Sequence, residues 1–219
     1  MQQQDTCLII FTKAPRVGQV KTRLIPAIGP YNAAELHKKL VTHCLETNST
    51  TPFCHTELWC HPETNDQFFQ QCKQRFPVHL KQQHGDDLGQ RMAFALSEKL
   101  LSFQNAIIIG TDCPDLTDNY LKQAINLLNT GQDAVIGPAL DGGYVLLGLS
   151  KMDHSLFSNI TWGSNQVFEM TTQRLQSLNW RWQTLEPLRD IDRPEDLFVL
   201  DETFKTGWHH RLTDRFNSL

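Results

Sequence analysis

Two short apolar runs, residues 7–11 and 106–109, each stop at a polar loop, Lys13-Ala14-Pro15 after the first and Gly110-Thr111-Asp112 after the second. Runs this short and this uniformly apolar read as strands buried on both faces. Between and beyond them, apolar residues recur at helical offsets: Ala33, Leu36, Leu40 and Cys44; then Met92, Ala95, Leu96 and Leu100; then Leu121, Ala124, Ile125 and Leu128. Further strands are expected at residues 78–82, 134–137, 144–149 and 180–185, and further helices at about 165–178 and 194–204. Parallel strands need crossover connections, and both faces of such a sheet must be covered. The alternation therefore predicts an α/β fold of three layers, α/β/α, around a mostly parallel sheet.

With 219 residues and no repeat or linker, the chain reads as one domain over residues 1–204 followed by a C-terminal tail, 205–219. Trp208, Arg211 and Phe216 in that tail suit either covering the sheet edge or packing on a second subunit to make a homodimer. The His209-His210 pair reads as part of a solvated end. Hydrophobic residues make up 40%, an ordinary globular share once the 12 glycines are added. A net charge of -4 leaves no overall basic field for nucleic acid.

No apolar run approaches the ~18 residues of a membrane span. The opening Met1-Gln2-Gln3-Gln4-Asp5 lacks the features of a leader, so the expectation is a cytoplasmic protein without membrane contact. The cysteines at 7, 44, 54, 60, 72 and 113 sit mostly in apolar segments, as reduced thiols do. Cys54-His55 and Cys60-His61 are too widely spaced for a zinc knuckle. They read as a strand with Leu58 and Cys60 on one face and Trp59 on the other.

Ligands of open α/β sheets bind beyond the carboxyl ends of the strands, so the loops there carry the chemistry. The first, residues 13–24, sets Lys13, Arg16, Lys21 and Arg23 around Gly18, a pattern suited to a polyanion and equally to a solvated basic loop. Its spacing is not that of a Walker loop or a three-glycine dinucleotide fingerprint. The second offers Asp112 and Asp115, oxygen ligands for Mg2+ or Mn2+, or a turn ahead of Pro114 with Thr117 or Asp118 capping the next helix.

Near the end, residues 190–196 offer more carboxylates, but Asp192 with Glu195 also reads as a helix capping box with Pro194 in the first turn, so Asp192 serves either as a site carboxylate or only as a cap. Asp190, without such a local duty, is the preferred second carboxylate on the metal side. Asp141-Gly142-Gly143-Tyr144 serves either as a hairpin turn or as part of a site.

As an ordered set these motifs resemble the nucleotide-diphospho-sugar transferase superfamily, with the A-type glycosyltransferase fold that sugar-phosphate and cofactor nucleotidyltransferases share. Within it they are similar to a small bacterial glycosyltransferase-like family associated with arsenosugar biosynthesis. The likeness rests on Phe11-Thr12-Lys13-Ala14-Pro15 with Gly18, Lys21, Thr22 and Arg23, and on Asp87-Leu88-Gly89 with Arg91-Met92. It continues through Gly110-Thr111-Asp112-Cys113-Pro114-Asp115, Gly137-Pro138 with Asp141-Gly142-Gly143-Tyr144, and Asp190-Ile191-Asp192 with Pro194-Glu195-Asp196, and so spans nearly the whole chain to about Leu200. The acidic signature is Asp-Cys-Pro-Asp instead of a two-apart Asp-x-Asp, and the glycine loop is sparser than in typical nucleotidyltransferases.

The resemblance implies a Rossmann-like fold. It implies a nucleotide phosphate site of Lys13, Pro15, Gly18, Lys21 and Arg23, a nucleotide enclosure from Gln83 to Arg91 that includes Asp87, and Asp112 as metal carboxylate beside Asp190. It also implies an acceptor side of Gly142, Gly143, Tyr144 and Trp162. The expected substrates are a nucleotide-sugar and a small acceptor, with Asp141 as the base that activates the acceptor hydroxyl, and Lys21 and Arg23 neutralising the leaving group. The runner-up is a nucleotidyltransferase joining a nucleoside triphosphate to a phosphorylated small molecule with release of pyrophosphate. A third alternative is a non-catalytic nucleotide-binding module.

Overall fold

The computed structural model describes residues 5–49, 54–201 and 204, so the tail beyond them, with Trp208, Arg211 and Phe216, lies outside the described residues. Seven strands form one sheet: β1 Thr6–Lys13, β2 His55–His61, β3 His79–Gln82, β4 Asn105–Ile109, β5 Ala134–Pro138, β6 Tyr144–Leu149 and β7 Trp182–Thr184. Their order is β3-β2-β1-β4-β6-β5-β7. Every pairing is parallel except those of β6, which runs antiparallel between β4 and β5.

Five helices accompany the sheet: α1 Ile25–Asn48, α2 Gln67–Arg75, α3 Leu88–Leu100, α4 Asp118–Asn129 and α5 Val167–Ser177. The sheet separates two apolar layers. Leu8, Ile10, Leu58 and Cys60 face one, with Leu121 and Leu128 of α4; Cys7, Ile9 and Trp59 face the other, with Leu96 of α3 and Leu175 of α5. β2 thus has the facing that its alternation predicts. All six cysteines are buried free thiols, and no described helix is long and apolar enough to cross a membrane.

Several local expectations need correction. α2 has no counterpart in the sequence reading, because its nine-residue run QFFQQCKQR is short and polar on average and buries only Phe69 and Cys72. α1 begins well before Ala33 and is broken at Gly29 (φ 78°, ψ 161°), a left-handed turn just ahead of Pro30 that glycine adopts without steric cost. The helix expected at 194–204 is a short 3-10 segment, Pro194–Val199, ended by extended Leu200.

Its capping box also sits one residue later than Asp192 and Glu195 suggest. Asp196 Oδ2 accepts from the backbone N–H groups of Arg193 at 2.7 Å and Asp192 at 3.1 Å. That frees the Asp192 side chain for other work. Thr117, not Asp118, caps α4, accepting from Tyr120 N at 3.3 Å.

On the α3 side of the sheet, Glu57 and Lys99 form a buried pair at 3.0 Å, their side chains 5% and 10% exposed. Trp59 Nε1 also donates to Glu57, at 2.9 Å. Removing one member of such a pair strands the other charge in a low-dielectric layer. Lys99→Met is therefore expected to destabilise the fold by about 3 kcal/mol, read from urea unfolding midpoints. A midpoint equal to that of the wild type would show that the pair contributes nothing net.

Candidate active site

β1 and β4 are neighbours in parallel register, Ile10 opposite Ile109, so the loops that follow them open at the same sheet edge. A third segment is pinned there by Ile191 N donating to Asp112 O at 2.8 Å, which carries Asp190 and Asp192 to the end of β4. The hairpin between β5 and β6 supplies Asp141. Together these enclose a cleft of about 750 Å3.

Lys13, Lys21, Arg23, Gln83, Asp87 and Arg91 line the cleft. So do Asp112, Asp141, Gly143, Tyr144, Trp162 and Asp190. Pro15, Gly18 and Gly142 lie outside the lining and act on the backbone instead: Gly18 and Gly142 hold left-handed turns (φ 80° and 93°). A Cβ on Gly142 would come within 2.2 Å of Asn165 O, so a larger residue there would force the hairpin off the loop ahead of α5.

Lys21 is not the free cation that its place in a basic loop suggests. Its side chain is 3% exposed, and its ammonium lies 2.8 Å from Asp112 Oδ1 while donating to Ile191 O. Burial alone would push the Asp112 carboxyl up, but Lys21, with His37 and Lys13, holds it below the usual carboxylate range. Arg23 is likewise matched, donating to Asp192 Oδ2.

Two other lining cations, Lys13 and Arg91, form no salt bridge among the described residues, although Lys13 is near enough to act on Asp112. Arg91 is oriented by donating Nε to Gly85 O at 2.9 Å. Gly85 can lie over the first turn of α3 only because it has no Cβ, which would meet Arg91 N at 2.8 Å. The nearby His61 registers this positive field: burial first, then Arg91, Lys13 and Arg16, push its pKa down. Arg16 itself is tied to Glu63 at 3.0 Å.

Gln83 and Asp87 have structural duties as well. Gln83 Nε2 donates to Thr12 O and Trp59 O, at 3.1 and 2.8 Å, stitching β1 to β2. Asp87 caps α3 by accepting from Gln90 N at 2.8 Å. What Gln83 can offer a ligand is thus an acceptor, not a donor.

The carboxylates gather on the other part of the cleft. Asp190 is pushed up to about 6, by burial first and then by the neighbouring charge of Asp141, with Asp112 adding to the effect. Asp141 Oδ1 accepts from Gly143 N at 2.8 Å, as in a hairpin turn, and Asp141 also lines the cleft. Trp162 stacks on Phe157, with ring centroids 6.5 Å apart, and covers Gly89, where a Cβ would meet the indole at 2.5 Å.

The titratable lining residue His37 has no part in the sequence reading. His37 sits on the buried face of α1, and its Nε2 is 2.9 Å from Lys13 O. A histidine inside the Leu36 to Leu40 stripe, just after the cationic loop, was the available signal.

The Rossmann-like sheet with a cleft at its strand ends is shared with transferases of the nucleotide-sugar and nucleotidyl kinds, and the protein is a transferase. The chain belongs to the family described as uncharacterized protein conserved in bacteria (DUF2064), whose model matches residues 44–164. No curated protein matches the sequence at a significant level.

Among solved structures, it is similar to a provisionally named nucleotide-diphospho-sugar transferase from Desulfovibrio desulfuricans G20. That likeness has 29% identity and a TM-score of 0.82, covering 95% of this chain and 91% of the other. The fold also matches 4-diphosphocytidyl-2C-methyl-D-erythritol synthase from Anaerococcus prevotii DSM 20548, with 12% identity, a TM-score of 0.59, and coverage of 92% and 96%. A third match is the inositol-1-phosphate CTP transferase from T. maritima, with 12% identity, a TM-score of 0.55, and coverage of 94% and 96%.

Proposed function

We propose that the protein transfers a sugar from a nucleotide-diphospho-sugar to a hydroxyl group of a small acceptor, releasing a nucleoside diphosphate. The observation that carries this choice over nucleotidyl transfer is where the unmatched charge lies. Lys13 and Arg91, which form no salt bridge among the described residues, are available to a diphosphate. Lys21 and Arg23, the cations beside the acidic group, are neutralised by Asp112 and Asp192. Even with one divalent cation held there, a phosphorylated acceptor would face Asp141 and Asp190 with their negative charge only partly offset, whereas an uncharged hydroxyl compound meets no such repulsion.

Lys13 and Arg91 bind the diphosphate and stabilise the charge it gains as the bond to the anomeric carbon breaks. Asp141, oriented by Gly143 N, takes the proton of the acceptor hydroxyl on its other oxygen as that hydroxyl attacks. Tyr144 and Trp162 form the wall on the acceptor side.

Among the described residues no group of three or more histidines, cysteines or carboxylates is placed to hold a metal. The donor set nevertheless suits Mg2+ or Mn2+, which take one or two carboxylates and complete their shell with water and substrate phosphate. Asp112 and Asp190 would hold it, and the part of the upward push on Asp190 that comes from Asp141 and Asp112, after burial, is a negative surplus that a cation relieves. When bound, such a cation supplies further neutralisation of the leaving diphosphate.

A thermal-shift screen of nucleotide-diphospho-sugars and nucleoside triphosphates, each with and without Mg2+, tests the donor class. A ligand specific to the native state raises the melting temperature with occupancy. Selective stabilisation by diphospho-sugars is expected, and selective stabilisation by triphosphates would favour the runner-up.

The acidic limb of the pH profile follows from Asp190. Its carboxyl titrates near pH 6, so it loses its negative charge as the pH falls through that value. Activity and divalent-cation affinity are expected to decline together below about pH 6. Asp190→Asn should lower activity and remove that limb from the kcat/KM profile. An unchanged limb would assign it to another group.

A further inference from the structure

We propose that the Lys21 ammonium and a divalent cation compete for the same oxygen of Asp112, and that nucleotide phosphates resolve the competition by drawing the ammonium away. Cation binding then depends on nucleotide binding. The proposal rests on Asp112 being a cation ligand, as in the function proposed above.

The ammonium lies in a nest of groups that also bind metals. It is 2.8 Å from Asp112 Oδ1 and donates to the peptide carbonyl of Ile191. A third acceptor faces the same carboxylate: His37 Nδ1 is 4.0 Å from Oδ1. With Nε2 donating to Lys13 O, the imidazole presents a lone pair at Nδ1, and that buried atom has no hydrogen-bond partner. Carboxylate oxygen, peptide oxygen and imidazole nitrogen accept from an ammonium, and each also coordinates divalent ions. One oxygen does not serve two cations at full strength, because the ions repel one another across it.

The Lys21 backbone makes the displacement physically reasonable. Lys21 has φ 48° and ψ 40°, a left-handed conformation unfavourable by about 1–2 kcal/mol for a residue with a Cβ. The ion pair anchors the residue in that conformation. Val20 is buried and holds the loop in place, but Gln19, Thr22 and Arg23 are exposed, which leaves room to re-aim the Lys21 side chain within the cleft it already lines. Phosphate oxygens offer the ammonium a charged partner in return. By linkage, nucleotide and cation then raise each other's affinity by the same factor.

Mn2+ binding without nucleotide, followed by the electron paramagnetic resonance signal of the free ion, tests this directly. Lys21→Met is expected to bind Mn2+ on the order of tenfold tighter than the wild type. Lys21→Arg, which keeps the charge, should stay weak, and adding Asp112→Asn to Lys21→Met should abolish the gain. A folded Lys21→Met protein that binds no tighter than the wild type, or a gain that survives Asp112→Asn, would overturn the proposal. If Lys21→Met does not fold, Lys21→Gln, which can still donate to Ile191 O, undergoes the same titration with the same criteria. Mn2+ titrations involve neither donor nor acceptor. A failure here leaves sugar transfer to the ligand screen, and a failure there leaves this competition standing.

Discussion

Asp141→Asn is expected to lower kcat for sugar transfer by about 10^2–10^4-fold, the range typical of losing a general base, and to leave donor affinity unchanged. A neutral hydroxyl is a weak nucleophile near pH 7, so its attack depends on a group that takes its proton. Asp141 lines the cleft beside Asp190, on a hairpin whose geometry the substitution preserves, because an amide oxygen can accept from Gly143 N as the carboxylate does. The loss then reports chemistry and not a collapsed turn. Steady-state kinetics beside Asp112→Asn make the comparison. Unchanged turnover in Asp141→Asn, with turnover abolished in Asp112→Asn, would remove Asp141 from the reaction.

Lys13→Ala and Arg91→Ala are expected to weaken binding of a nucleoside diphosphate by roughly tenfold to a hundredfold each. Hydrogen bonds to a charged partner contribute about 1.5–3 kcal/mol. Both side chains line the cleft, and neither forms a salt bridge among the described residues, so each is freer than Lys21 or Arg23 to meet the ligand. Arg23→Ala should cost less, because Arg23 must first give up Asp192. Calorimetric titration with nucleoside diphosphates checks the ranking. A larger loss from Arg23→Ala than from either of the other two would place the phosphates on the opposite side of the cleft.

That ranking marks how far the sequence could be read. The loop after β1 is visibly cationic, and Lys13 and Arg91 belong to the predicted nucleotide site. Which of the four cations remain unmatched depends on partners 91 and 169 residues away from Lys21 and Arg23, Asp112 and Asp192. No local pattern encodes those pairings. Asp192 looked like a cap because Pro194 and Glu195 follow it, yet Asp196 takes that duty and releases Asp192 to Arg23.

The sheet was more legible. β1 and β4 are uniformly apolar because both faces are covered, and β2 alternates between two buried layers as Leu58, Trp59 and Cys60 suggest. α2 escaped notice because a helix on the sheet's periphery needs only Phe69 and Cys72 to hold it down. His37 escaped notice for the opposite reason: inside an apolar stripe it resembles core, and only the meeting of α1 with the end of β4 turns it toward Asp112.

The most direct test of sugar transfer is the identity of the phosphorus product. Phosphorus-31 NMR of the protein with Mn2+-free Mg2+ buffer, a panel of nucleotide-diphospho-sugars and nucleoside triphosphates, and both hydroxyl and phosphomonoester acceptors would resolve it. A released nucleoside diphosphate, formed only with a hydroxyl acceptor, is the predicted outcome. Pyrophosphate released from a triphosphate in the presence of a phosphomonoester would contradict it.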